Sequence, residues 1–136
     1  AGVGLFASHL EVRFRVVHAV ESDPLAAKWA GSNLVKALYH DAPVEDWLRR
    51  RLESGQVAPD LAVVDPPRQG LTGVALDRLV ACEPRQIRYV SCGHDTLARD
   101  LRQILAKGYL LDKVFLIDLY PHTPHLEVVT YLHKRP

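Results

Sequence analysis

Apolar positions along the chain alternate between the short runs typical of strands and the longer amphipathic spacing typical of helices. The segments that predict strands are 12–20, 61–64, 87–90, 110–119 and 126–133. The segments that predict helices are a short one before residue 10, then 24–38, 44–52, 73–81 and 96–107. Strands that alternate with helices in this way predict an α/β domain with a mostly parallel sheet.

Capping and breaking residues support several of these boundaries. Ser22 or Asp23 can cap a helix whose first position is Pro24. Pro66 and Pro67 cannot continue a strand ladder, so the strand before them must end and a loop must begin. These local signals predict the ends of the elements as well as their type.

Residues suited to chemistry follow the predicted strands at the points where the strands end. Glu21, Asp65 and Cys92 each close or follow an apolar run, and the turn at 121–127 lies between the last two strands. Ligands of α/β sheets bind at the carboxyl ends of the strands. The sequence therefore predicts one candidate site built from these residues.

The chain opens on a glycine loop, Ala1-Gly2-Val3-Gly4-Leu5-Phe6. Glycine lets the backbone approach a ligand closely and adopt a positive φ. Glu21, about one strand–helix unit later, can accept hydrogen bonds from the two hydroxyls of a ribose, although a loop and an acid of this kind also fit dinucleotide sites. Such a loop normally follows a first strand, so we expect the sequence to be truncated before or within that strand and its loop.

The two cysteines have different surroundings in the sequence. Cys82 lies among helical residues and is interpreted as a small core residue. Cys92 ends a strand and precedes Gly93 and a predicted helix start, which favours a reactive thiolate. With two cysteines the chain is no disulfide scaffold, and a reducing, cytoplasmic location is expected.

Two further segments carry candidate chemistry. The rigid loop Asp65-Pro66-Pro67-Arg68 can hold a cofactor edge on one side and a flipped base on the other, or it is a plain turn. In the 121–127 turn His122, His125 and Glu127 suggest a metal site, but no further well-spaced ligand accompanies them, so no metal is predicted.

Composition and charge restrict the partners. The 136 residues form one domain at most, and the formal net charge of +1 is far from the basic excess of a compact nucleic-acid-binding module. The run Arg49-Arg50-Arg51 fits a solvated helix face better than a phosphate patch. If RNA is the substrate, much of its binding must come from elsewhere.

Five motifs in order resemble the S-adenosylmethionine-dependent RNA (uracil-5-)-methyltransferases, which modify tRNA and bacterial rRNA. The resemblance spans essentially the whole chain and rests on segments 1–6, 17–24 with Asn33, 65–70, 89–92 with 96–101, and 118–127. It implies the Rossmann-like class I methyltransferase fold. It also implies that the chain is the C-terminal part of a catalytic domain, without the OB-like RNA-binding region that many members carry.

The resemblance implies a role for each matching residue. Cys92 is the implied nucleophile and Glu127 the proton acceptor. The implied S-adenosylmethionine-binding residues are Gly2, Gly4, Leu5, Glu21, Asp41 and Asp65, with Glu21 at the ribose, Asp41 at the adenine edge and Asp65 between the methionine end and the base. The implied substrate-binding residues are Pro66 and Arg68, and the implied partner is rRNA or tRNA.

One departure from the family and three alternatives accompany this hypothesis. The family usually follows its catalytic cysteine with Asn-Pro, whereas Gly93-His94 follows Cys92 here, and this change is expected to loosen the loop. The alternatives are a cytosine-5 methyltransferase, a small-molecule methyltransferase and a non-catalytic RNA-binding remnant. A single catalytic cysteine together with Glu127 favours uracil.

Overall fold

The computed structural model describes residues 1–119, 121–123 and 126–136, which divide into two compact units, Ala1–Glu53 and Ser54–Pro136. The first unit contains α1 (Leu5–Leu10), β1 (His18–Glu21), α2 (Pro24–Asn33), β2 (Leu38–Asp41) and α3 (Val44–Glu53). The second contains β3 (Leu61–Val64), α4 (Gly73–Ala81), β4 (Gln86–Ser91), α5 (His94–Ala106), β5 (Tyr109–Ile117) and β6 (Glu127–Lys134).

The first unit is built on a parallel pair of short strands. β1 and β2 pair in register from His18 opposite Leu38 to Glu21 opposite Asp41. The helix between them begins as predicted, because Asp23 accepts hydrogen bonds from the N–H groups of Leu25 and Ala26 at 2.8 and 2.9 Å and Pro24 takes the first helical position.

Three sequence-based predictions for this unit are wrong. The predicted strand at 12–20 is confined to β1, because the N–H groups of Arg13 and Phe14 turn back to the Leu10 carbonyl at 2.9 Å. The predicted helix at 24–38 ends at Asn33. The third error is that the sequence pattern did not predict β2.

Glu11 explains why the backbone leaves the helix before β2. Its carboxylate accepts hydrogen bonds from the N–H groups of residues 35–37 at 2.8 to 3.2 Å. These N–H groups therefore have partners outside a helix, and Leu34 is already extended, with φ −102° and ψ 132°. The same backbone contacts lower the pKa of the Glu11 carboxyl.

The second unit holds a mixed sheet of strand order β3-β4-β6-β5. β3 and β4 are parallel, as predicted, but β6 is antiparallel to both of its neighbours. The difference arises because β5 and β6 are joined by a turn instead of a helix, so β6 must run against β5. Inserted between β4 and β5, it also runs against β4.

The core of this unit lies on one face of the sheet. Residues that face helices α4 and α5 alternate along the strands with half-buried ones, which is the pattern of a sheet covered on that face. The buried cluster consists of Leu76, Ile87, Tyr89, Leu97, Ile104, Tyr109, Val128 and Leu132. Helices α4 and α5 and strands β3, β5 and β6 otherwise match the predicted elements to within a few residues.

A buried carboxylate, Asp100, fastens α5 to its surroundings. Its side chain is 1% exposed and accepts hydrogen bonds from the Tyr89 hydroxyl at 2.5 Å and the Leu71 N–H at 2.9 Å. The Arg99 guanidinium neutralises it at 2.7 Å. Burial, together with the bond to Asp100, raises the pKa of the Tyr89 hydroxyl, so that this group stays protonated and donates.

We predict that Asp100→Ala lowers the free energy of unfolding by about 3–5 kcal/mol, because it leaves the buried donors around it without an acceptor. Urea denaturation of the protein carrying this chain measures the change. Asp77→Ala is the matched control: Asp77 is 61% exposed and pairs with Lys107 at 2.9 Å, so its loss costs at most about 1 kcal/mol. Equal costs for the two variants would contradict this account of Asp100.

Candidate active site

The glycine loop before α1 has the backbone geometry that its sequence predicts. Gly2 and Gly4 have φ values of +55° and +91°, which other residues rarely adopt. A β-carbon on Gly4 would lie 3.0 Å from the Leu34 side chain, whereas the space at Gly2 is open within 4 Å. The Asn33 side chain donates to the Val3 carbonyl at 2.9 Å and holds the loop in place.

The Glu21 carboxylate accepts hydrogen bonds from several backbone groups of this unit. One carboxylate oxygen accepts from the N–H groups of Ser22 and Asp23 at 2.8 and 3.0 Å. The other accepts from the Gly2 N–H at 2.9 Å and the Ala1 ammonium at 3.0 Å. Partial burial opposes ionisation, but the Gly2 N–H, the ammonium and the Asp23 N–H outweigh it and lower the pKa of Glu21 to about 2.

Two other predicted cofactor residues lie in the same unit. Asp41 is the last residue of β2 and is paired directly with Glu21 in the parallel register, so the two acids occupy neighbouring strand ends. Leu5 begins α1 immediately after Gly4, and its side chain is 62% exposed. The structure thus gathers Gly2, Gly4, Leu5, Glu21 and Asp41 within the first unit.

In the second unit Asp65 follows β3 directly and begins the predicted proline loop. The loop turns tightly, with the Gly70 N–H bonded to the Pro67 carbonyl at 2.8 Å and Gly70 at φ +74°. Pro66 is half-buried and Arg68 is exposed. The Asp65 side chain is largely accessible, but partial desolvation raises the pKa of its carboxyl.

Cys92 occupies the connection between β4 and α5. Its side chain is half-buried and free, whereas Cys82, at the end of α4, is buried. Ser91 braces the connection, since its hydroxyl accepts from the Gly93 N–H and donates to the Gly93 carbonyl, both at 3.1 Å. The thiol predicted to be reactive is therefore the accessible one of the two.

Glu127 begins β6 on the side of Cys92. In the antiparallel register Ser91, the last residue of β4, lies opposite Val128. Glu127 precedes Val128 just as Cys92 follows Ser91, so both residues adjoin the same strand pair at the same end. Strand pairing therefore brings together two residues that are 35 positions apart in the sequence.

Gly93 allows the loop after β3 to approach the Cys92 connection. A β-carbon on Gly93 would lie 2.6 Å from the Arg68 carbonyl oxygen and 2.7 Å from the Thr96 hydroxyl oxygen. Glycine at this position therefore permits close packing of the two loops. Its φ of −117° is ordinary, so steric space rather than backbone conformation favours glycine here.

Neither a metal-binding cluster nor a membrane-spanning helix is found among the described residues. Residues 1–119, 121–123 and 126–136 contain no group of three His, Cys, Asp or Glu side chains that could hold a metal ion. His125, which belonged to that hypothesis, lies outside the described residues. Within the same ranges no helix is long and apolar enough to cross a membrane.

Comparison with known proteins places this geometry in a family. The family model described as tRNA (uracil-5-)-methyltransferase matches residues 30–135. An uncharacterised RNA methyltransferase of Caldanaerobacter subterraneus is 39% identical over 97% of this chain, and one of Lactococcus lactis is 35% identical over 99%. The chain spans 29% and 30% of the length of these two relatives.

Solved structures agree on the fold. The tRNA (uracil-54, C5)-methyltransferase of Pyrococcus abyssi, solved with S-adenosyl-L-homocysteine, superposes with a TM-score of 0.80 at 33% identity, over 96% of this chain and 32% of that one. A methyltransferase structure from Thermoplasma acidophilum, at 14% identity, has a TM-score of 0.72 and covers 98% of this chain and 65% of that one. The fold is the Rossmann-like fold of class I methyltransferases, as predicted. With most of its length matched by the family model, this chain belongs to the tRNA (uracil-5-)-methyltransferase family.

Proposed function

We propose that the protein carrying this chain transfers a methyl group from S-adenosylmethionine to carbon 5 of a uridine in tRNA or rRNA. Cys92 is the nucleophile and Glu127 the base. The observation that carries the proposal is the β4–β6 register, which sets an accessible thiol and a carboxylate at the same end of one strand pair. Family membership supports the same reaction class.

The first unit fits the cofactor. The open space at Gly2 and the positive φ of both loop glycines let the backbone approach a ligand. Glu21, ionised at neutral pH, accepts ribose hydroxyls, and Asp41 beside it accepts from the adenine edge. Leu5 supplies apolar surface next to the loop.

One oxygen of Glu21 is better suited to the ribose than the other. Both oxygens already accept two hydrogen bonds each. The donors Ser22 and Asp23 are fixed in the turn between β1 and α2, whereas Ala1 and Gly2 belong to the glycine loop. A ribose hydroxyl is therefore proposed to replace a loop donor at that oxygen.

The chain's own residues drive the chemistry at the base. The Cys92 thiolate adds to carbon 6 of uracil; the sulfur–carbon bond forms, and the electrons of the 5,6 double bond make carbon 5 nucleophilic. S-adenosylmethionine, when bound, would supply the electrophilic methyl group to carbon 5, with its sulfur–methyl bond breaking and S-adenosylhomocysteine as the leaving group. Glu127 then takes the proton from carbon 5, the double bond re-forms, and the sulfur–carbon bond breaks to release the thiolate.

The 65–68 segment is proposed to hold the uracil for this reaction. Pro66 and Pro67 restrict the backbone that follows Asp65. The Asp65 carboxyl, which directly follows β3, is proposed to contact the base and the methionine end of the cofactor. Pro66 and Arg68 line the substrate side, and the uridine reaches them from a loop or after flipping out of its stack.

We further propose that residues 1–136 are the C-terminal part of the catalytic domain and that RNA is bound mainly by other parts of the protein. The short coverage of both relatives and the net charge of +1 support this division. Phosphate contacts dominate affinity for nucleic acids and require a basic surface. In this division of roles, residues 1–136 contribute the proposed catalytic groups Cys92 and Glu127.

Cys92→Ala is expected to abolish methyl transfer to unmodified RNA, because no sulfur remains to add to carbon 6. Transfer of a labelled methyl group from S-adenosylmethionine measures the loss. Cys82→Ala is the matched control and should retain the parent rate, since Cys82 is buried at the end of α4. Methylation by Cys92→Ala at a rate near that of the parent would contradict the assignment of Cys92 as the nucleophile.

Glu127→Gln is expected to slow turnover by roughly 10²–10⁴-fold while sparing the earlier steps, because only proton removal needs the base. The covalent protein–RNA adduct should then accumulate and appear as a shifted band on a denaturing gel. Glu53→Gln, an exposed partner of Arg49, should form no such band. Normal turnover, or no adduct with any RNA substrate, would count against Glu127 as the base.

Glu21→Gln is expected to raise the Kd for S-adenosylmethionine about 10- to 100-fold, the size expected for losing charged hydrogen bonds. Calorimetric titration should give the same ratio at pH 5 and pH 8, because the backbone N–H groups of Gly2 and Asp23 hold the pKa of Glu21 below its usual range, so the carboxylate stays ionised between these values. Glu53→Gln again serves as the control. A Glu21→Gln affinity equal to that of the parent would show that the ribose binds elsewhere.

A further inference from the structure

We propose that Thr96 and Arg99, on the first turns of α5, are positioning residues that clamp residues 65–71 (the 65–71 loop) against the Cys92 connection. The clamp sets where the uracil lies relative to the thiol. This inference rests on the proposed function and adds to it two residues that touch neither substrate nor cofactor.

Thr96 holds the loop at Arg68. Its hydroxyl lies 2.7 Å from the Arg68 carbonyl oxygen and 3.0 Å from the Gly93 carbonyl oxygen. One hydroxyl thus joins the loop that follows β3 to the residue that follows Cys92. Since α5 begins at His94, Thr96 belongs to the first turn of the helix that directly follows the nucleophile.

Arg99 holds the same loop one helical turn later. One guanidinium nitrogen donates to the Gln69 carbonyl at 2.9 Å and to the Leu71 carbonyl at 3.1 Å. Asp100 fixes the guanidinium through the Arg99 Nε at 2.8 Å and accepts from the Leu71 N–H. A planar guanidinium suits this task because it presents several donors in a rigid arrangement.

Two glycines let the clamp close. A β-carbon on Gly70 would lie 2.6 Å from an Asp100 carboxylate oxygen and 2.7 Å from an Arg99 guanidinium nitrogen. A β-carbon on Gly93 would lie 2.6 Å from the Arg68 carbonyl oxygen. All three distances are shorter than real β-carbons show, so a substitution must displace its neighbours: the backbone of Arg68 at Gly93, and the clamping side chains of Arg99 and Asp100 at Gly70.

The clamp acts on the backbone of the loop alone. Its acceptors are the carbonyls of Arg68, Gln69 and Leu71, and its one loop donor is the Leu71 N–H. None of these contacts uses the side chain of Asp65. The clamp therefore fixes the loop without occupying the carboxyl proposed to hold the base.

Positioning, rather than stability, is the expected contribution of Thr96, whereas Arg99 also neutralises the buried Asp100. Thr96 is half-buried and the Arg99 side chain is 48% exposed, whereas the Asp100 side chain is buried. A misplacement of about 1 Å between reacting groups costs roughly 10²-fold in rate. A single hydroxyl can therefore matter far more for the rate than for folding.

Thr96→Val tests the clamp in the full-length protein carrying this chain, since valine keeps the shape of threonine and removes the hydroxyl. We expect kcat for methyl transfer, and the rate of adduct formation with 5-fluorouridine RNA, to fall about 10-fold or more. The Kd for S-adenosylmethionine and the urea unfolding midpoint should stay at the parent values. Thr96→Ser keeps the hydroxyl and should restore the rates.

Gly93→Ala tests the same clamp from the other side and should slow both reactions similarly, because its β-carbon displaces the Arg68 carbonyl. Gly73→Ala is the matched control: Gly73 has open space around it and an ordinary φ, so this variant should react at the parent rate. Parent-like rates for both Thr96→Val and Gly93→Ala would overturn the proposal. So would failure of Thr96→Ser to restore the rates, or losses that track a lowered unfolding midpoint.

The parent protein separates the two levels of inference. If it forms no adduct and methylates no RNA, the proposed function fails, and the catalytic role of the clamp fails with it. If the parent is active and both Thr96→Val and Gly93→Ala are equally active, the clamp alone is overturned and the assignments of Cys92 and Glu127 stand.

Discussion

The hydrogen-bonded pairing of β4 with β6, from Gln86 opposite His133 to Ser91 opposite Val128, brings together the two side chains that are proposed to react, Cys92 and Glu127. Because the pairing is antiparallel, the start of β6 adjoins the end of β4, and Glu127 comes to the same end as Cys92. A parallel β6 would have placed its first residue at the opposite end of β4, about six residues or 20 Å away. The pairing is secured by buried residues on the core face, among them Ile87, Tyr89 and Leu132. The candidate chemistry thus depends on the packing of an apolar face that takes no part in it.

Local signals were enough to predict most of the second unit. β3 and α4 have the predicted bounds, because two prolines end the strand and the Thr72 side chain caps the helix through the Ala75 N–H at 3.1 Å. The order of the strands could not be read in the same way. Insertion of β6 between β4 and β5 depends on which faces are buried, and this information is distributed over residues far apart in the sequence. The predicted mostly parallel sheet is mixed for that reason.

In the first unit, local signals were not enough to predict β2. β2 is only four residues long, and half of them, His40 and Asp41, are polar, so it carries no clear strand period. It exists because β1 pairs with it and because α3 packs against the pair, with Trp47 5.5 Å from the rings of both His18 and His40. The strand-end position of Glu21 was nevertheless predictable, since the polar cap that follows β1 marks its end. Tertiary partners therefore decided which residues are strand, while local chemistry decided where the strand stops.

Glu21 and Asp100 show how one chemical group serves two purposes. Each carboxylate accepts hydrogen bonds from the backbone, one at Asp100 and several at Glu21, but the Asp100 side chain is 1% exposed and the Glu21 side chain is 23% exposed. A carboxylate sealed from water cannot exchange a donor without leaving another group unsatisfied, so Asp100 can only hold structure. Glu21 is exposed enough for the proposed exchange of a loop donor for a ligand hydroxyl, because water or the ligand would compensate the released N–H. The sequence could not reveal the partners of Asp100 or the acceptors of Thr96 and Arg99, since backbone carbonyls and N–H groups are the same at every position and only the fold selects among them.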